Sequence, residues 1–249
     1  MAILLVVLLA IGIFGCRIKT KSADISVKFT SDVIPYAEQS VINYCGIEVT
    51  DNIFSILLHK SAIEDGITKN LPYIKSAEIS IGLLHKVEIS VTGTTLAYSF
   101  WDSENGFILF DEDGKVLEKN ADWEKASGVP TVYGLAGYSF ETGSVISCNK
   151  GLISTLKTLV TEYSAADFTG IDVFDLTSYP EIKLEYHSDG VIFDINFGEI
   201  EDADLKFKGL AKVLDTETAL RSRGVINFLY RDDGSLQITV GNATETTEN

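Results

Sequence analysis

From Met1 to Cys16 the chain carries no charged side chain, and the stretch from Ala2 to Phe14 is apolar without interruption. Such a segment belongs in a bilayer or an export pathway, so every later element has to be read as chain attached to a membrane or exported across one. A helix that spans a bilayer unaided needs about 20 apolar residues, and this run is shorter. Its basic flank, Arg17, Lys19 and Lys21, follows the run while nothing basic precedes it. That is opposite to the bias of a helix whose N-terminus stays in the cytoplasm, which predicts a basic cytoplasmic tail upstream of Met1. The rival reading takes Ile13 to Cys16 as a lipoprotein cleavage site with Cys16 as the lipidated residue. Phe14 is bulky for such a site, and the basic n-region of a signal peptide is absent.

Charge narrows the class of partner. The formal net charge is -16, with 36 acidic against 20 basic side chains. Affinity built on neutralising phosphates is therefore not expected, and nucleic acid is excluded as a partner. The same charge repels an anionic lipid surface, so attachment to a bilayer must come from insertion of residues 1–16. With 45% hydrophobic residues in 249, the remainder can still bury a core.

After a polar link over residues 17–23, Ile25, Val27 and Phe29 alternate with polar residues in the period of two that marks a half-buried strand. Asp32 and Pro35 open a helix expected over Val33 to Cys45, with Gly46 just past its end. A loop over Glu48 to Asn52 leads into Ile53 to Ile56. Ser61 and Glu64 then have the spacing of a capping box at the start of a second helix, which must stop near Asn70 because Pro72 restricts Leu71. Two alternating runs, Ala77, Ile79, Ile81 and Val87, Ile89, Val91, flank Gly82 to His85 and predict a hairpin. The first domain is thus a β-α-α-β-β unit over residues 24–93.

Residues 94–240 form the second domain. Leu96 to Trp101, Gly106 to Asp111 and Lys115 to Leu117 predict a small meander, turned in part by Glu112-Asp113-Gly114. Val129 to Gly134 is a short extended piece. Leu152, Leu156, Leu159, Val160 and Tyr163 outline a helix from about Gly151 to Tyr163. Strands resume at Ile171, and Ile182 to Tyr186 with Val191 to Phe197 form a hairpin around Ser188-Asp189-Gly190. Phe207, Leu210, Val213 and Leu214 mark another helix. The last hairpin pairs Val225 to Tyr230 with Leu236 to Val240, and the polar residues 241–249 are expected to be disordered.

Two stretches, Asp51-Asn52-Ile53-Phe54-Ser55-Ile56 and Asn70-Leu71-Pro72-Tyr73-Ile74-Lys75-Ser76-Ala77-Glu78-Ile79, resemble the polypeptide-transport-associated (POTRA) domain of FtsQ/DivIB cell-division proteins. The order of weaker matches agrees: Phe110-Asp111 with Gly114-Lys115-Val116, then Val129-Pro130 with Gly134, then the late helix Leu205 to Leu214. The chain departs from the family at Thr92-Gly93-Thr94-Thr95 and at Gly82-Leu83-Leu84-His85. The resemblance implies an α+β chain with one transmembrane helix, a POTRA-like domain and a mostly antiparallel curved β domain with packed helices. It further implies a non-enzymatic bitopic scaffold of the divisome at the septum, with most of the chain extracytoplasmic. Partners of the FtsB/DivIC and FtsL type would bind the C-terminal part of the β domain, coupling it to septal cell-wall synthesis. The competing reading is an exported lipoprotein with a ligand-binding α+β fold anchored through Cys16.

The residues themselves offer little toward catalysis. His59, His85 and His187 are isolated in sequence, at turns or strand ends, and read as surface residues. Asp111-Glu112-Asp113-Gly114 lacks the further oxygen ligands of a calcium loop and reads as a turn, as does Asp232-Asp233-Gly234. Cys45 and Cys148 lack any metal or redox spacing and are expected to be separate free thiols. No catalytic residue, metal, cofactor or small-molecule substrate is expected. A scaffold works through sheet edges that another chain completes. If Val225 to Tyr230 lies at or next to an exposed edge, then Ile226, Phe228 and Tyr230 are the candidate partner contacts; the same residues also suit ordinary core and surface positions of a strand.

Overall fold

The computed structural model describes residues 24–31, 34–48, 51–82, 86–166 and 168–242. The segment read as a membrane anchor, the link after it, Asp32 and Val33, His85 and residues 243–249 lie outside them. Among the described residues no helix is long and apolar enough to cross a membrane. The chain is α+β and divides into two compact units between Thr95 and Leu96, with Thr142–Ser144 grouped with the first.

In the first unit, strand β1 (Ile25–Phe29) is followed by helices α1 (Glu38–Tyr44), α2 (Ile53–Leu58) and α3 (Lys60–Asn70), then strands β2 (Ile74–Ile81) and β3 (Val87–Gly93). The sheet order is β1-β3-β2, with β1 parallel and β2 antiparallel to the central strand. Alternation explains the core: Val87, Ile89 and Val91 are fully buried and meet Ile53, Ile56, Ile67 and Leu71 from the helices. Ile74 is out of phase with Ile79 by sequence, and the pairing register shifts between Ile74 and Ser76. A bulge there puts both on the buried face.

Three expectations change here. The first helix begins at Glu38, later than anticipated. Ile53–Leu58 forms a helix of its own, begun by the Asn52 side chain, which accepts from the Phe54 N–H at 2.9 Å. The capping box is not made: α3 starts at Lys60 with no side-chain cap, and Glu64 instead accepts from the Ile79 N–H of β2 at 2.7 Å.

The second unit holds strands β4 (Tyr98–Asp102), β5 (Gly106–Phe110), β6 (Val116–Ala121), β7 (Thr131–Tyr133), β8 (Ile171–Asp175), β9 (Ile182–Ser188), β10 (Val191–Gly198), β11 (Arg223–Tyr230) and β12 (Leu236–Gly241). Helices α4 (Trp123–Ala126), α5 (Lys150–Ala165) and α6 (Ala203–Glu217) complete it. The sheet order is β12-β11-β10-β9-β8-β7-β4-β5-β6. The sheet is mixed, since β4/β7, β7/β8 and β10/β11 run parallel. Two of these joins have a physical cause in chain order: α5 separates β7 from β8 and α6 separates β10 from β11, and a helical crossover returns the chain in the same direction. Both long helices lay an apolar stripe on the sheet, Leu152, Leu156 and Leu159 from α5 and Phe207, Leu210 and Leu214 from α6. Between helices and sheet, Phe174, Phe193, Phe197 and Phe207 are fully buried.

Candidate functional site

The site builds from the end of the chain. β11 is not an outer strand: it runs parallel to β10 on one side and antiparallel to β12 on the other. Ile226 is fully buried and Phe228 nearly so, both in the main core. Two of the three candidate contacts are thus core residues, buried because the inward parity of β11 faces α6, while Tyr230, at the end of the strand, is half exposed. Leu229 beside it is exposed as well.

The outer strand is β12, and its register tells which backbone groups look outward. In the turn, Gly234 takes a φ of +80° and its N–H donates to the Arg231 carbonyl at 2.8 Å, while the Arg231 N–H donates to the Ser235 carbonyl at 3.0 Å. Antiparallel ladders alternate from that bonded pair, so Gln237, Thr239 and Gly241 bond toward β11 and Leu236, Ile238 and Val240 point their N–H and C=O away. No side chain among the described residues bonds that outer flank. Leu236, Ile238 and Val240 pack against the core only in part, which leaves a partner strand both backbone and side-chain surface to meet.

Tyr230 joins this strand to a cavity of about 540 Å³ lined by Phe197, Glu199, Glu201, Asp202, Lys206 and Tyr230 among others. Helix α6 places Lys206 there: it shares the inward stripe with Ala203, Phe207 and Leu210 and is almost fully buried. Its Nζ donates to the Glu199 carbonyl at 2.6 Å and lies 4.9 Å from the Phe197 ring centre and 5.7 Å from that of Tyr230. Burial pushes the amine below the ordinary lysine value. Tyr230 Oη donates to Asp202 Oδ2 at 2.8 Å. Desolvation and then that hydrogen bond push the phenol up to about 12, which keeps it a donor. The group therefore clamps the end of β11 to the start of α6, directly beside the open strand.

Of the other sequence candidates, His59 and Cys45 belong to the first unit and His187, Cys148 and Asp111 to the second. His59 Nδ1 lies 2.8 Å from the Ser55 carbonyl, and His187 Nδ1 lies 3.0 Å from Asp172 Oδ2 at the surface. Cys45 is buried, its thiol donating to the Ile42 carbonyl at 3.0 Å, Cys148 is half-buried, and Cys16 lies outside the described residues. Asp111 Oδ1 accepts from the N–H groups of Asp113 and Lys115, closing the β5–β6 turn in which Gly114 has a φ of +78°. Among the described residues no group of three or more His, Cys, Asp or Glu could hold a metal ion. Sequence reasoning missed Lys206, although its spacing, three from Ala203 and four from Leu210, already put it on the apolar face. No protein-family model matches the chain, and no curated protein shows significant similarity to it.

Proposed function

We propose that this chain is a non-enzymatic, single-pass membrane scaffold of bacterial cell division of the FtsQ/DivIB type, acting outside the cytoplasm. Its partners are membrane division proteins of the FtsB/DivIC and FtsL kind, and it couples them to septal cell-wall synthesis. An apolar start, a three-stranded unit with its helices between β1 and β2, one short helix more than the resemblance implies, and a larger sheet follow one another along the chain, which supports the reading. The observation that carries the reading is the open flank of β12, the last strand among the described residues. A partner segment adds there as a further strand, bonding to the backbone of Leu236, Ile238 and Val240. Tyr230 and Leu229, exposed at the near end of the neighbouring strand, supply side-chain contact.

The test is capture of the partner coiled coil together with localisation of a fluorescent fusion. Val240→Pro deletes one outward N–H at a place where an outer strand tolerates proline. It is expected to reduce capture at least tenfold with little change in melting temperature, and Tyr230→Glu is expected to weaken capture as well. The wild-type fusion should form a septal band. Absence of that band, or undiminished capture by both folded variants, overturns the proposal. Acyl labelling at Cys16 with globomycin sensitivity selects the lipoprotein reading instead.

A further inference from the structure

The chain has two tryptophans, and both are surface residues that touch one phenylalanine far from β12 in strand order. Trp101 on β4 pairs across the hairpin with Phe107 on β5, and alternation turns both away from the main core that holds Phe100 and Ile108. The Trp101 and Phe107 ring centres are 4.7 Å apart with the planes at 62°. Trp123, the first residue of α4, meets the same Phe107 at 5.4 Å and 52°. Trp101 is 55% exposed and Trp123 66%. Leaving two indoles in water forfeits more burial than any other pair of side chains could, and aromatic clusters of this kind mark contact surfaces.

Geometry and charge narrow the occupant. Rings inclined to one another, one pair edge to face and the other tilted, make a cup and not the flat platform on which a sugar ring lies. The segments that carry the cup hold five carboxylates, Asp102, Glu104, Glu118, Asp122 and Glu124, against two lysines. Lys125 offsets one of these carboxylates by pairing with Glu118 at 2.8 Å, and Lys119 donates to the Phe140 carbonyl at 3.2 Å, which leaves Asp102, Glu104, Asp122 and Glu124 as the acidic excess. Asp102 is held ionised, since hydrogen bonds from Asn105 keep its carboxyl below the usual range. An acidic rim also repels anionic lipid, which argues against the indoles lying in a headgroup layer.

We propose that the Trp101–Phe107–Trp123 cup is a second docking surface, which takes an arginine or lysine side chain from a basic segment of a partner protein by stacking the cation on the indole faces. The surface is independent of the strand-addition reading, because β5 sits next to the opposite outer strand, β6, of the same sheet. A scaffold carrying both would hold two partners at once.

Because the cup contains every tryptophan of the chain, its occupancy reads directly in intrinsic fluorescence. The purified full-length chain is titrated with hexa-arginine and with hexa-citrulline, which keeps the shape and loses the charge, at physiological salt. Hexa-arginine should change the indole emission saturably and hexa-citrulline should not. Calorimetry with the charge-preserving double variant Trp101→Gln/Trp123→Gln, its fold checked by circular dichroism, should show at least tenfold weaker binding, while Trp123→Phe, which keeps a ring, should retain most of it. Equal affinity for the wild type and the glutamine variant means attraction by net charge alone and overturns the proposal. So does a larger emission change with an N-acetylglucosamine hexamer or with phosphatidylglycerol vesicles than with the peptide.

Discussion

Two outer strands, β2 of the first unit and β12 of the second, meet the same difficulty and treat it differently. In β2 the outward Ile79 N–H is taken by the Glu64 carboxylate of α3 at 2.7 Å, so a helix of the same unit covers the flank. At the far side of the large sheet, the start of β6 is met by a passing segment: Val145 bridges Lys115, and the Ile146 N–H donates to the Gly114 carbonyl at 2.9 Å. β12 has neither device among the described residues. An outer strand with free backbone invites association, and proteins usually blunt such edges. Where β2 and the start of β6 each meet a neighbouring group, β12 meets none among the described residues, which teaches that its openness is a local property of that strand.

Removing the support beneath β12 is the largest way to break that contrast. Ile226 and Phe228 hold β11, the only strand neighbour of β12 among the described residues, against the core. Ile226→Ala should cost about 2–5 kcal/mol and Phe228→Ala about 3–5 kcal/mol in urea unfolding, and partner capture should fall with them because the open strand loses its neighbour. Tyr230→Ala, at a half-exposed position, should cost about 1 kcal/mol. If all three changes cost alike, the division of β11 into a buried part and a reachable end is wrong.

That division shows what the sequence could and could not convey. Alternation in Val87, Ile89 and Val91 and helical spacing in Leu152, Leu156 and Leu159 locate elements and their buried faces, since each depends on residues close in sequence. Strand order does not. The terminal hairpin gives Val225–Tyr230 one neighbour, but nothing local to it says that β10 takes the other side or that the parity of Ile226 and Phe228 faces the core, so these two looked available as contacts. The parallel joins β7/β8 and β10/β11 were hidden for the same reason, although the helix between each pair was legible. α2 escaped because six residues are too few to display a period, with the Asn52 cap as its only signal. Ser61 and Glu64 had the right spacing for a capping box, but the unsatisfied Ile79 N–H drew the carboxylate to the sheet. The Trp101–Phe107 pair needed the hairpin register, which puts the two opposite each other.

A smaller effect sharpens the contrast from the other side. Glu64→Ala uncovers β2 by removing the acceptor of the Ile79 N–H and the partner of Lys60, which lies 3.5 Å from the carboxylate. The loss of one hydrogen bond to a charged group in a half-buried place should cost about 1.5 kcal/mol. Native-state hydrogen exchange offers the finer reading: the Ile79 amide should lose protection while Ile89, on the central strand, keeps it. Equal loss at both would mean that Glu64 supports the whole unit and does not act as an edge cover.

The mildest change concerns the clamp at the near end of β11, and pH reveals it. Lys206 is pushed below the ordinary lysine value of 10.5 by burial, so between its lowered folded value and 10.5 the unfolded chain holds a proton that the folded chain has released. By linkage, stability rises with pH across that window, is flat above it, and below it carries the full cost of burying the charge. Tyr230 works in the opposite direction: its folded value is pushed up to about 12 from 10.0, so its contribution is complete below pH 10.0 and is lost as pH climbs toward about 12. Comparing wild type with Lys206→Met from pH 7 up to about 10 therefore isolates the lysine. The wild type should gain on the variant as pH rises, while capture of a partner at β12 stays the same for both at neutral pH, because the ammonium points at the Glu199 carbonyl and not at the open flank. Curves that run parallel over the whole range would mean that water reaches Lys206, and the clamp would then rest on the Tyr230–Asp202 bond alone.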